Sequence, residues 1–153
     1  MTKIRDLLGK EANVLIQNSI SVGDVHILPL GKEEGITPKD GELTRNKFFI
    51  VLGFDAKGDI IGGIVINSNI NLNLPSSVTD YLMPVTVQQM PFLKHKSFIN
   101  CSRLKTVRKD KFNHGTYIGH IDNDSLLESI KGTVIESPYA NIQQLKEFGI
   151  INN

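Results

Sequence analysis

The residues best suited to chemistry crowd into one stretch, Lys94 to His114, which reads KHKSFINCSRLKTVRKDKFNH. It holds seven Lys or Arg against one acid, a net +6, while the ten bases and fifteen acids elsewhere leave −5. The whole chain sums to only +1, so there is no global pull toward nucleic acid and any such binding must use a local patch. Within the stretch, Arg103 and Lys105 share one face of an extended chain and Leu104 takes the other. Two cations on the open side of a strand can seat a phosphate backbone, with Arg108 and Lys109 continuing the track. The competing reading is a solvated, charged edge strand that discourages aggregation.

Other chemistry is less well supported. The single cysteine, Cys101, excludes an internal disulfide, suits a reducing compartment, and sits in an apolar run where a small buried hydrophobe is expected. His95, His114 and His120 lack metal-ligand spacing, and one cysteine cannot complete a zinc set, so no metal is expected. Gly53 to Gly63 is glycine-rich but lacks the Gly-Lys-Ser/Thr of a nucleotide-binding loop, and no Gly-Xaa-Ser-Xaa-Gly occurs. Phe48, Phe49 and Phe92 can stack bases, although core packing is the commoner role for such residues.

The elements that must carry these residues are mostly strands. With 153 residues and 40% apolar content, the chain is expected to be one domain with a real core. It has no apolar run near the ~18 residues of a membrane span and no signal-peptide pattern, so a cytoplasmic protein is expected, with no membrane partner. Residues 1–20 read as an N-terminal helical extension, with a helix over Thr2 to Asn18 capped by Thr2. Strands are predicted over Ser21–Leu30, Lys47–Phe54, Asp59–Ile70, Tyr81–Gln88 and Ser97–Val107. Lys47–Phe54 (KFFIVLGF) is apolar enough to be central, Pro84 marks its strand as an edge, and Gly62-Gly63 signals a bulge or close approach. A long polar loop fills 31–46. Asp122 or Asp124 can cap a helix through Leu126, Leu127 and Ile130, and Asn141 a last helix over Ile142–Phe148, stopped by Gly149. The sum is a mainly β (α+β) domain over 1–153, with a curled barrel at 21–112 and terminal helices at 122–149.

Four segments, taken in order, resemble the MazF/PemK family of toxin ribonucleases. Gly23-Asp24-Val25 resembles the family's opening Gly-Asp-hydrophobic strand. Lys47 to Leu52 sits where the family has Arg-Pro and an apolar strand. Ile64-Val65-Ile66-Asn67-Ser68 falls where apolar residues end in Thr-Ser or Thr-Ala, and Phe92 to Lys111 resembles a Ser-led strand followed by an Ile-Arg-Thr-Ile-Asp-Lys element. The resemblance covers about Gly23 to Ile135. It implies a small SH3-like barrel, metal-independent and cofactor-free cleavage of single-stranded RNA, a homodimer, and an antitoxin protein as partner. In that scheme the RNA 2′-hydroxyl attacks its own phosphate, helped by the Arg of Arg-Pro and by a Thr or Ser after the next strand.

Carried onto this chain, the Arg position is Lys47 and the Pro is Phe48, with Arg45 two residues upstream on the same strand face. The Thr position is Asn67, with Ser68 beside it. Lys is a point charge without the guanidinium fork, so this change is not conservative. His26 alternates with Val25 and Ile27 and is expected to face the cleft beside Lys47, where it can act as general base; a satisfied structural histidine is the alternative. A barrel that binds nucleic acid or a protein partner without cleaving is the rival from another class.

Overall fold

The computed structural model describes residues 19–152. The helix expected over Thr2–Asn18 lies outside the described residues. Six strands form one antiparallel sheet: β1 (Asp24–Gly31), β2 (Thr44–Phe54), β3 (Ile60–Asn67), β4 (Leu82–Val85), β5 (Ser97–Arg108) and β6 (Thr116–His120). Their spatial order is β4-β5-β3-β2-β1-β6. Helices α1 (Ser76–Thr79), α2 (Asp124–Glu136) and α3 (Ile142–Glu147) complete the fold, with 3-10 turns at Lys32–Glu34 and Lys109–His114.

β2 and β3 are near-continuous apolar runs because both of their faces are covered. Ile50, Leu52, Ile64 and Ile66 join one core with Leu126, Ile130 and Val134 of α2 and Leu145 of α3. Phe49, Val51, Ile61 and Val65 point the other way, into a second core closed by Val107 and Phe112. Alternate residues therefore serve different cores, each large side chain contributing about 1.5–3 kcal/mol on full burial. The i, i+4, i+8 spacing of Leu126, Ile130 and Val134 is the stripe that lays α2 on the sheet. At β2, a Cβ on Gly53 would overlap the Phe148 carbonyl oxygen, so only glycine lets the end of α3 approach this closely.

Several expectations are met. β2 is central, and β4, carrying Pro84, is an edge. The β2–β3 register slips at Val51/Gly53 opposite Gly62 and Gly63, which is the anticipated bulge. Cys101 is fully buried, and burial pushes its thiol up to about 12. Others are corrected. The sheet is not the closed barrel expected: no ladder joins edge strands β4 and β6 among the described residues. Both edges are short, four and five residues, and Pro84 offers no N–H to a ladder. The sheet is nevertheless strongly curled. Glu33, just past β1, meets Arg108 of β5, although two strands separate β1 from β5 in the sheet order.

β2 starts at Thr44, so Arg45 is in a strand and not in the polar loop. The cap of α2 is Asn123, which accepts from the Leu126 N–H, and not Asp122 or Asp124. β6 had no counterpart in the sequence reading; TYIGH is too short and too mixed to register as a strand until β1 pairs with it.

Candidate phosphate cleft and a second cavity

Antiparallel pairing assembles the first site. The pair Phe48–Ile66 places Lys47 opposite Asn67 one step further along, and Asn67 pairs in turn with Phe98 at the start of β5. The start of β2, the end of β3 and the approach to β5 thus converge at one end of the sheet. A cleft of about 290 Å³ opens there, lined by Arg45, Lys47, Ser68, Lys94, His95 and Ser97 among others. A second hollow shares Arg45, Lys47 and Ser68 and adds Asn67. No carboxylate is among the described residues lining either.

Lys47 Nζ donates to Asn67 Oδ1 at 2.5 Å, which fixes the ammonium over the strand end. Burial lowers the Lys47 pKa, and the nearby Arg45 charge lowers it further. The residue is thereby a cation that releases its proton more readily than a solvated lysine. The imidazole of His95 places Nδ1 2.9 Å from the Lys96 carbonyl oxygen. A carbonyl only accepts, so in that bond Nδ1 carries the hydrogen and Nε2 is left as the basic nitrogen of the neutral ring. Ser97 Oγ donates to the His95 carbonyl at 3.1 Å, holding the turn in which His95 sits.

Arg45, Lys47, Asn67 and Ser68 are thus brought together. The four residues of the basic track are not part of this group, and none lines either hollow. Arg103 lies 4.0 Å over the ring of Tyr139, whose hydroxyl is 2.8 Å from Ser77 Oγ. Lys105 is half-buried, its pKa lowered by burial and then by Arg103, with Nζ next to Gly35. Arg108 is paired with Glu33 at 3.2 Å and Asp110 at 3.8 Å. Lys109 makes no ion pair among the described residues; its backbone N–H bonds the Asp59 carbonyl. The basic stretch supplies the cleft instead through Lys94 and His95, which sequence reasoning passed over. The signal was there: both directly precede the strand that must pair with Asn67.

His26 does not sit beside Lys47. It pairs with Phe49 on one side and Tyr117 on the other, and is buried with its ring edge-on to Phe112 (4.9 Å) and Tyr117 (5.4 Å). Burial lowers its pKa, with Asp24 acting weakly in the opposite sense. The β1–β2 register sets this, placing Leu28 and not His26 opposite Lys47; β6, pairing with β1 across a register slip between Val25 and His26, then encloses a separate cavity. Asp24, His26, Tyr117 and His120 line it, and it shares no described residue with the Arg45–Lys47 cleft. No group of three or more His, Cys, Asp or Glu suited to a metal ion occurs among the described residues. No described helix is long and apolar enough to cross a membrane.

No family model matches the chain, and no curated protein matches it.

Proposed function

We propose that the Arg45–Lys47 cleft binds single-stranded RNA and cleaves it without a metal, as the resemblance to MazF/PemK toxins implies. The observation that carries this reading is the meeting of Arg45, Lys47, Asn67 and Ser68, drawn from across more than twenty residues of sequence, in one cleft with no acid among its described lining residues. The curled, open sheet is read as a relaxed form of that family's SH3-like barrel, and a homodimer and an antitoxin partner belong to the same proposal.

In the reaction the 2′-oxygen attacks the adjacent phosphorus and loses its proton. The P–O5′ bond breaks, and the leaving oxygen takes up a proton, giving a 2′,3′-cyclic phosphate and a free 5′-hydroxyl. Arg45 grips the non-bridging oxygens with its fork, and Lys47 neutralises the charge that builds on the phosphorane. Ser68 donates a hydrogen bond to the phosphate, and Asn67 holds Lys47 in place. His95 Nε2 provides the acceptor for the 2′ proton, a role for which His26 is too remote from the cleft.

A second reading, binding without cleavage, is favoured by one observation: Lys47-Phe48 replaces the Arg-Pro of the resembling family. Incubating the purified protein with single-stranded RNA in EDTA decides between them. Cleavage is expected to survive the chelator and to vanish in the Arg45→Ala, Lys47→Ala double variant. Intact RNA that still shifts in a gel would leave only the binding module.

A further inference from the structure

The cavity between β1 and β6 is built differently from the cleft. Asp24 is buried and both of its oxygens are engaged, Oδ1 with His120 Nδ1 at 2.8 Å and Oδ2 with the Ser21 N–H at 2.8 Å. With the Asp24 carboxylate accepting, His120 Nδ1 carries the hydrogen and Nε2 is left as the ring's second polar atom. The His120 side chain is 39% exposed, so that nitrogen is within reach of a ligand. Gly23, at φ +95°, lets the ring come this close: a Cβ there would stand 3.0 Å from His120 Cε1.

His26 lines the same cavity, and its buried Nε2 has no hydrogen-bond partner among the described residues. Buried polar atoms are satisfied in the great majority of native proteins, so this unpaired nitrogen marks an unusual polar spot in the cavity wall. Tyr117 adds a flat ring, 57% exposed, on the same wall. The cavity measures about 370 Å³, within the range of small-ligand sites. Neither Lys nor Arg is among its described lining residues, and the one carboxylate is already occupied, so nothing there selects an anion.

An exposed aromatic face, a reachable imidazole nitrogen and no basic side chain among the described lining residues suit an uncharged planar ring with hydrogen-bonding edges. We propose that this cavity binds a nucleobase, stacked on Tyr117 and read along its edge by Nε2 of His120, with the His26 ring in the wall behind it. Such stacking is how splayed bases of single strands are held. The site stands whether or not the cleft cleaves RNA, because the two share no residue.

The test is to titrate the full chain, ¹⁵N-labelled at histidine, with adenosine, guanosine, cytidine and uridine, which carry no phosphate. At least one nucleoside is expected to shift the His120 and His26 imidazole signals saturably. Tyr117→Ala should weaken that binding at least about fivefold, the loss of one stacked base, while Tyr117→Phe retains it. The Arg45→Ala, Lys47→Ala variant should bind nucleosides unchanged. Absence of any nucleoside response overturns the proposal, as does an equal response in Tyr117→Ala. Equal shifts from ribose 5-phosphate would also overturn it, since the site would then be reading an anion or sugar.

Discussion

Two groups of cations, both drawn largely from strands β2 and β5, have opposite fates. At the start of β2, Arg45 and Lys47 open onto a cleft in which no described lining residue is acidic. Past the far end of β5, Lys111 Nζ bonds Glu34 Oε1 at 2.8 Å and approaches Glu33 at 3.6 Å, while Arg108 takes the other side of Glu33. The Glu34 side chain is only 1% exposed and also accepts from the Gly31 N–H at 2.7 Å, so this pair is a strut between β1 and β5. Positive residues that look alike in sequence thus divide into cleft-lining charges and structural charges. Net charge along a segment does not distinguish them; the location of the nearest carboxylate does.

The sharpest way to break this contrast is Glu34→Ala, which leaves Lys111 with only the more exposed Glu33, 3.6 Å away, as its acidic partner. An uncompensated buried charge costs about 3–5 kcal/mol. With Glu33 and the Pro29 carbonyl still in place the loss should be about 1–3 kcal/mol, to be read from urea unfolding midpoints; a loss under about 1 kcal/mol would show that the strut is not structural. RNA binding by the folded fraction should be unchanged. Lys47→Ala should behave in the reverse manner. Cleavage should fall by at least about 100-fold, the usual cost of losing one transition-state charge donor, with an unfolding midpoint near wild type.

Salt dependence sharpens the same comparison. If Arg45, Lys47 and Lys94 are the cations that meet phosphate, affinity for single-stranded RNA should fall with a log–log slope of about −2. A slope near −3 or steeper would bring the Arg103–Lys109 track back into contact, and a flat response would remove nucleic acid. Arg108→Ala should change little in either assay. Its ion pairs are exposed, so the stability loss should stay below about 1 kcal/mol and the salt slope should not move.

The smallest effect concerns His26. Its pKa is lowered in the fold by burial, so in the window from its folded pKa up to about 6.5 the unfolded chain binds more protons than the native one. Stability therefore rises with pH through that window and is reduced below it. His26→Gln should shrink the difference between unfolding midpoints at pH 5.5 and 7.5. An unchanged difference would mean that His26 is not the group responsible.

Much of the scaffold was legible from local signals. The apolar runs KFFIVLGF and IIGGIVI, the paired glycines at the bulge, Pro84 at an edge, and Asn141 as a cap each act through their own backbone or immediate neighbours. β6 was not legible, because five mixed residues become a strand only when β1 supplies the hydrogen bonds. Without that strand neither the cavity around His26 nor the Asp24–His120 pair, which spans 96 positions of sequence, was visible.

The sequence by itself determined five of the six strands, the burial of Cys101, and the four polar residues Arg45, Lys47, Asn67 and Ser68 that meet in one cleft. Tertiary structure alone decided which cations are free, since charge acts through space and the compensating Glu33 and Glu34 approach Arg108 and Lys111 only when the sheet curls. It also decided that the sheet stays open, because closure depends on two edge strands meeting and no local residue pattern encodes that meeting.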